Sequence, residues 1–411
     1  MEKIIENEHF NIHIIENKKF KNDYLEVSFI NKYDREKLAV RECLLRMLFM
    51  GNKTYKTSRD ISIRTEELYD CITYYDQTRV GSYIFSNIHT KYLNPSLIDE
   101  NNYLEDNIKF LFQLIFDGEF NQTNLDYVKS NMIAEVESIK EDPRSYAKLR
   151  AYEVLDKDDP SAITINGDIA SIKKITLDDL EKEYKDFLNN SDVEISLVVN
   201  NLNDEVINIV DKYAKFNSNP KFDVVPFRFI KSGDNKKIED KDFSQSEIVY
   251  IYNLEDLTER ERDTVAIVFN EVLGGSALET RLNKSLREEN SLCYGIYSSY
   301  SKYDNRLQIF TSVSKENIDK SCELIEQIVN SINNIDEEEL EKAVSRIARE
   351  LKEVSNRIDF LAGNKLSTDL GYNVSFEERI ERYKSVKVDE VNKINSKLKL
   401  NTIYILKGVS D

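Results

Sequence analysis

The two halves of this chain predict the same order of elements on either side of a break in periodicity. In the first half, alternating apolar residues predict two strands that form a hairpin, Asn11–Glu16 and Lys21–Asn31, and then a helix over Glu36–Phe49. The second half begins with a strand over Ser246–Tyr252 and continues with helices. Between them, Lys215–Asp234 lacks regular periodicity and contains two of the five prolines. Because strands run into long helices without β-α-β alternation, the pattern predicts α+β sandwiches and not a doubly wound sheet.

Length and composition predict a two-domain protein. The 411 residues exceed the usual size of one domain, so we expect an N-terminal domain over 1–217 and a C-terminal domain over 235–411. The net charge of −18 argues against nucleic acid and an anionic membrane surface as partners. Four widely spaced cysteines without a CxxC pair indicate reduced thiols. We find no signal-peptide pattern and no apolar run near the roughly 20 residues of a membrane span, so we expect a cytoplasmic protein.

A helix–turn–strand segment over Glu271–Ile296 is the most distinctive part of the second half. One helix is predicted to end at Gly274-Gly275, and Ser276 is the expected N-cap of the next. This second helix is amphipathic and carries Leu278, Leu282 and Leu286 on one face. A strand rich in tyrosine and isoleucine follows over Leu292–Tyr300.

Arg287 and Tyr294 flank the turn of this segment, at the end of the helix and the start of the strand. The turn could bring a guanidinium and a phenol together at one edge of a sheet. A fork of donors beside a phenol suits a peptide carbonyl or an oxyanion. From residue types alone, the alternative is that Arg287 is a surface cation at a helix C-terminus and Tyr294 a half-buried strand aromatic.

Three stretches of the chain resemble the insulinase- and pitrilysin-like M16 peptidases. The C-terminal segment of that family is matched by Gly274-Gly275-Ser276, Arg281-Leu282, Leu286-Arg287-Glu288 and Leu292-Cys293-Tyr294. Its substrate-binding Arg and Tyr fall on Arg287 and Tyr294. The run Met47–Gly51 matches the residues that follow the family's HxxEH zinc motif, and the region around Glu135 matches the helix of its third zinc ligand. The resemblance implies two similar domains, each an antiparallel-rich sheet packed against helices.

The zinc motif itself is degenerate. Alignment on Met47–Gly51 places Glu42 at the first His position, Leu45 at the Glu position and Arg46 at the second His position. Only Glu135 remains in the register of a ligand, and a guanidinium repels a cation instead of binding it. We therefore expect no metal and no catalytic residue in this chain, and an ion pair between Arg46 and Glu135 as a relic of the site.

No other part of the chain predicts a replacement for this chemistry. The three histidines, His9, His13 and His89, have no partner at metal-ligand spacing on one helix. The sequence also lacks a GxSxG elbow, a P-loop and a GxGxxG fingerprint.

The resemblance implies a function in a pair of chains. In heterodimeric M16 proteins one chain supplies zinc, and the other, without zinc ligands, contributes the Arg/Tyr pair that binds the peptide. Arg287 and Tyr294 imply this second role here, with a zinc-bearing M16 subunit and a peptide substrate as partners and no cofactor in this chain. More narrowly, the chain resembles zinc-less M16 members of Gram-positive bacteria whose label refers to the 5-aminopentanol modification of elongation factor P. The alternative is an inert scaffold, similar to the M16-like core subunits of respiratory complexes.

Overall fold

The protein forms alternating groups of strands and helices in a computed structural model that describes residues 2–217, 233 and 235–409. The strands are β1 (Glu2–Glu6), β2 (Asn11–Glu16), β3 (Asn22–Lys32), β4 (Ile72–Val80), β5 (Tyr83–Leu93), β6 (Asp192–Val199), β7 (Asn235–Lys241), β8 (Ser246–Leu254), β9 (Cys293–Ser301), β10 (Arg306–Val313) and β11 (Leu398–Gly408). The four strands predicted above are present as β2, β3, β8 and β9, with small shifts of their ends.

Helices make up most of the remaining described chain. They are α1 (Leu38–Leu48), α2 (Ser58–Glu67), α3 (Tyr103–Phe116), α4 (Gln122–Ser138), α5 (Pro143–Leu155), α6 (Ile169–Lys174), α7 (Leu177–Asn190), α8 (Asp204–Tyr213), α9 (Ala266–Gly274), α10 (Arg281–Asn283), α11 (Ile318–Ser331), α12 (Glu337–Val354), α13 (Ile358–Asp369), α14 (Phe376–Lys384) and α15 (Val388–Ile394). Two π-helical turns extend this set, Glu261–Val265 before α9 and Lys284–Glu289 after α10. Within the described ranges, none of these helices is long and apolar enough to cross a membrane.

The first sheet has six strands in the order β1-β2-β6-β3-β5-β4. Strand β6 lies between β2 and β3, parallel to β2 and antiparallel to β3. The predicted hairpin of Asn11–Glu16 with Lys21–Asn31 is therefore wrong, although both strands exist. The reason is burial: β6 is buried along almost its whole length, and such a strand is most stable in the interior of a sheet.

Each face of the first sheet packs against a helical layer. On one face, Leu25, Val27 and Phe29 of β3 join the main core with residues of α1, α3, α7 and α8. On the other face, Tyr24, Ile15 and Val198 pack against Ile358 and Ala362 of α13. The alternation of β3 between these two layers follows from the period of two in a strand.

The second sheet has five strands in the order β7-β11-β8-β10-β9. One of its faces forms a core with α9, α11, α12 and α15. The other face, which includes Val249, Ile251 and Tyr404, packs against Ala147 and Ala151 of α5. Both sheets are thus covered by helices on two faces, and the predicted α+β class is confirmed.

The two compact units are discontinuous in sequence. The first contains residues up to 136 together with 165–217 and 354–375, and the second contains 137–164, 235–353 and 376–409. Each unit therefore takes one covering helix from the other half of the chain: α13 covers the first sheet and α5 the second. The ranges 1–217 and 235–411 describe the two sheets but not these two helices. Most of the predicted junction, Lys215–Asp234, lies outside the described residues.

Candidate functional site

The positions that the sequence assigns to a degenerate zinc motif lie towards the C-terminal end of helix α1. The side chain of Arg46 donates from Nε to Glu42 Oε1 at 2.9 Å, one helical turn away. Its two terminal nitrogens donate to the two carboxylate oxygens of Glu135 on α4, each at 2.7 Å. The predicted Arg46–Glu135 pair is confirmed, and it is bidentate. One guanidinium therefore bridges the two carboxylates at the expected ligand positions.

The two carboxylates that Arg46 bridges differ in burial and in the direction of their pKa shifts. Glu42 is buried, and burial raises the pKa of its carboxyl above the ordinary range despite the hydrogen bonds from Arg46 and Tyr75. Glu135 is half exposed, and its hydrogen bonds to Arg46 lower its pKa. Asn166 donates a further hydrogen bond to Glu135 Oε2 at 3.0 Å. The sequence pattern missed Tyr75 and Asn166, because both contact the bridge from elements distant along the chain.

This arrangement does not fit zinc. Three groups of suitable type would have to converge on one point, whereas the centre here is a guanidinium whose donors already engage Glu42 and Glu135. Leu45, at the position of the general base, is fully buried in the core and can neither take up nor release a proton. Across the described ranges, no group of three or more His, Cys, Asp or Glu side chains is arranged to hold a metal ion.

The run Met47–Gly51 has a structural role at the end of α1. Gly51 has a φ of +135°, a conformation that favours glycine, and a Cβ there would lie 2.6 Å from the carbonyl oxygen of Lys56. The run Met47–Gly51 thus ends α1 and turns the chain, which requires no catalytic residue upstream.

Two histidines lie in buried ion clusters of the first unit. His89 contacts Glu26 at 2.9 Å and Asp76 at 2.5 Å. Burial would lower the pKa of His89, but these carboxylates outweigh it and raise the pKa to about 9. His13 lies between Glu194 and Asp369, each at 2.7 Å, and its pKa is also raised. The ring of His89 is therefore an imidazolium ion at neutral pH, and a protonated ring is not a metal ligand.

The helix–turn–strand segment of the second unit differs from the sequence prediction at its start. The N-cap of α10 is Thr280, whose side chain accepts from the backbone N–H of Asn283. Ser276 instead donates to Glu350 at 2.6 Å, so its predicted role as the cap is wrong. Leu278 is 54% exposed and does not join the buried face of Leu282 and Leu286. The helix starts later than predicted because Thr280 offers the same hydroxyl cap closer to the leucines.

Side chains of this helix fix the strand that follows it. Asn283 is buried, and its amide donates to the carbonyl of Ile296 at 2.8 Å and accepts from the backbone N–H of the same residue at 3.3 Å. Arg281 forms a bidentate pair with Glu339 at 2.8 and 2.7 Å. These contacts hold the helix between β9 and α12, and the sequence pattern assigned no role to Asn283.

Tyr294 lies at a bulge in the edge strand β9. The ladder with β10 runs to Thr311↔Ile296 and resumes at Val313↔Cys293, so Tyr294 and Gly295 lie opposite a single residue. Such a bulge redirects the side chains that it contains. The ring of Tyr294 is 92% exposed, which rules out the half-buried aromatic of the alternative interpretation. Because β9 pairs only with β10 in the described sheet, one side of its backbone is open.

Arg287 lies in the π-helical turn, and the next strand begins six residues later. The backbone N–H of Leu292 donates to the carbonyl of Leu286 at 2.8 Å, and that of Ser291 to the carbonyl of Arg287 at 3.2 Å. Arg287 is partly buried, and its guanidinium makes no ion pair or side-chain hydrogen bond with the described residues. The turn thus places the guanidinium of Arg287 and the exposed phenol of Tyr294 at the end of an open strand edge. These hydrogen-bond donors suit a peptide backbone.

The two helix-covered sheets are similar in fold to M16-like proteins. A family model described as the Peptidase M16 inactive domain matches residues 174–347. The Bacillus subtilis (strain 168) protein named probable inactive metalloprotease YmfF is 22% identical over 410 residues, which cover 96% of this chain and 95% of that protein. Residues 174–347 therefore match the M16 inactive domain, and almost the whole chain is similar to a protein named a probable inactive metalloprotease.

Solved structures share the whole fold. A crystal structure of a conserved protein from Enterococcus faecalis V583 has a TM-score of 0.91 and 21% identity, and covers 100% of this chain and 99% of that one. The peptidase M16 inactive domain from Pseudomonas fluorescens has a TM-score of 0.81 and 19% identity, with coverage of 100% and 99%. These similarities confirm the predicted architecture of two similar domains.

Proposed function

We propose that this chain is the non-catalytic, substrate-binding subunit of a heterodimeric M16 zinc peptidase. It would form a pair with a zinc-bearing M16 subunit and present Arg287 and Tyr294 to a peptide held at the zinc site of that subunit. The observation that carries the proposal is the contrast between the two candidate sites. Arg46 forms ion pairs with Glu42 and Glu135, whereas the side chains of Arg287 and Tyr294 make no hydrogen bond or ion pair with the described residues.

The chemistry of the turn supports this role. A peptide substrate laid along the open edge of β9 would gain backbone hydrogen bonds, and Tyr294 could then donate to its scissile carbonyl. The guanidinium of Arg287 would hold a neighbouring carbonyl or stabilise negative charge that develops on the reacting oxygen. The partner's metal would supply the activated water, so that neither chain hydrolyses peptides alone.

The test is the turnover of the assembled pair with variants of this chain. Removal of one donor to a developing oxyanion costs about 10²–10³ in kcat, so Tyr294→Phe and Arg287→Ala should each lower kcat/KM by about 10²-fold. Neither change should weaken assembly measured by analytical ultracentrifugation. Tyr127→Phe and Arg59→Ala are matched controls, since both side chains are exposed and lie in the other unit, and they should leave turnover unchanged.

The competing function is an inert M16 scaffold. In that case Arg287→Ala and Tyr294→Phe would have the same turnover as the two control variants, although the pair still forms. Full turnover in the variants therefore contradicts the proposal directly.

A further inference from the structure

Asp23, near the start of β3, is a buried carboxylate without a cationic partner. It is only 3% exposed, and its Oδ1 accepts hydrogen bonds from the Asn94 side chain at 3.0 Å and the Asn200 backbone at 2.9 Å. Its Oδ2 has no hydrogen bond, and no Lys, Arg or His of the described chain pairs with it. Buried charges in proteins are normally paired. The carboxylate of Asp23 therefore lacks the cationic partner that a buried charge normally has.

Asp23 lines a cavity of the first unit. The cavity has a volume of about 360 Å³ and lies between the starts of α3 and α8 and the turn after β5. Asp23, Asn94 and Tyr103 line it and are each less than 5% exposed. Its other lining residues include no Lys, Arg or His, but three more carboxylates, Glu100, Glu105 and Glu205. The cavity is thus polar and negatively charged, and a space of this size holds a small organic group.

A second observation also indicates a missing ligand. The hydroxyl of Tyr103 is buried and has no hydrogen-bond partner in the described structure. Burial raises the pKa of this hydroxyl to about 12, and the charge of Asp23 adds to the effect. Buried hydroxyl groups normally have a partner, because an unsatisfied one costs about 1–3 kcal/mol. A ligand in the cavity would supply a partner to both groups.

The sign of the ligand charge follows from a comparison of the local charges. The N-termini of α3 and α8 each contribute about +0.5 of a charge. Glu105 is already paired with Lys212 at 2.5 Å, which leaves Asp23, Glu100 and Glu205 without a cationic partner among the described residues. The acidic rim is explained by the helix termini, since carboxylates are favourable there. The position of Asp23 is not explained by a helix terminus, because this residue lies on strand β3. The net field in the cavity is negative, and it attracts a cation.

We propose that this cavity binds a primary ammonium group, with Asp23 as its counter-ion and the Tyr103 hydroxyl as a further acceptor. The group belongs to a small alkylamine or to a lysine side chain of a peptide, which share this chemistry. A primary ammonium has three donors and no acceptor, which matches a site of carboxylate, phenol and amide oxygens. The site lies in the first unit and is independent of the function proposed for Arg287 and Tyr294.

Calorimetric titration of the full chain with 1,4-diaminobutane and with a Gly-Lys-Gly peptide blocked at both ends tests the proposal and separates the two sources. Saturable binding of either is expected, and 1-butanol, which lacks the charge, should not bind. Asp23→Asn keeps an acceptor for Asn94 and Asn200, and it should weaken amine binding at least 10-fold. Asp204→Asn is the matched control, because Asp204 is exposed and does not line the cavity.

A second measurement on the unaltered chain does not depend on the folding of any variant. Burial raises the pKa of Asp23 to about 6, so amine affinity should fall as the pH decreases through about 6 and the carboxyl is protonated. An absence of saturable binding at pH 7.5, equal affinity of Asp23→Asn, or an affinity that is the same at pH 5 and pH 7.5 would each overturn the proposal.

Discussion

Removal of the Arg46 guanidinium, which bridges Glu42 and Glu135, should destabilise the first unit in a pH-dependent way. Arg46→Met keeps the aliphatic stem but takes the charged donors from Glu42 and Glu135. The pair with Glu135 contributes little, because that carboxylate is 50% exposed and such pairs are typically worth 0–1 kcal/mol. Glu42 dominates, because its side chain is only 6% exposed and would keep a single hydrogen bond, from Tyr75 at 3.3 Å.

The cost for Glu42 can be bounded. Loss of one partner of a buried pair costs about 3–5 kcal/mol. The carboxyl can instead take up a proton, which costs about 1.4 kcal/mol for each pH unit above the ordinary Glu pKa of about 4.3. At pH 7.5 the upper limit is therefore about 4 kcal/mol, and we expect a loss of about 2–4 kcal/mol. At pH 5 the limit falls to about 1 kcal/mol.

Hydrogen-exchange mass spectrometry in increasing urea measures this loss locally in α1, so the two units need not unfold in one step. The double variant Arg46→Met with Glu42→Gln removes the stranded charge, and it should recover all but about 1 kcal/mol of the loss. A loss of the same size at pH 5 and pH 7.5, or a double variant as unstable as Arg46→Met, would refute the reasoning.

Two further experiments test the assigned zinc-motif positions and the ionisation of His89. The double variant Glu42→His with Arg46→His should create a zinc site with Glu135 as its third ligand, and atomic absorption should then measure one zinc per chain. A further Glu135→Gln change should abolish zinc binding. A zinc-free double variant would contradict the assigned positions. His89 has a raised pKa of about 9, so its stabilising contribution of about 3 kcal/mol is complete below pH 6.5 and lost as the pH rises through 9. Urea unfolding should accordingly show a smaller decrease of stability between pH 7 and pH 9.5 in His89→Gln than in the original chain or in His9→Gln; equal decreases would be the contrary result.

The sequence predicted the structural features that depend on the spacing of residues within one helix or strand. Glu42 and Arg46 are one helical turn apart, so the motif positions could be assigned, and the charge of Arg46 pointed to Glu135 as its partner. The fold class followed from the order of strands and helices. The family resemblance added the pair Arg287 and Tyr294, which residue types alone left undecided.

The sequence did not predict what depends on distant segments. The position of β6 between β2 and β3 is a pairing of residues more than 150 positions apart, which no local pattern records. The same holds for α5 and α13, whose apolar faces do not show which sheet they cover. Asp23 was missed for a related reason, because a single acidic residue at the start of a strand has no signature until the surrounding cavity is seen.

The most direct test of the divided-site account is native mass spectrometry with zinc analysis of this chain, alone and after co-expression with an M16 homologue that carries HxxEH. The account predicts a zinc-free chain on its own and a one-to-one complex in which zinc is bound by the other subunit, with peptidase activity only in the complex. Stoichiometric zinc in the isolated chain would contradict the assignment of Glu42, Leu45 and Arg46. The absence of any such complex would contradict the role proposed for Arg287 and Tyr294.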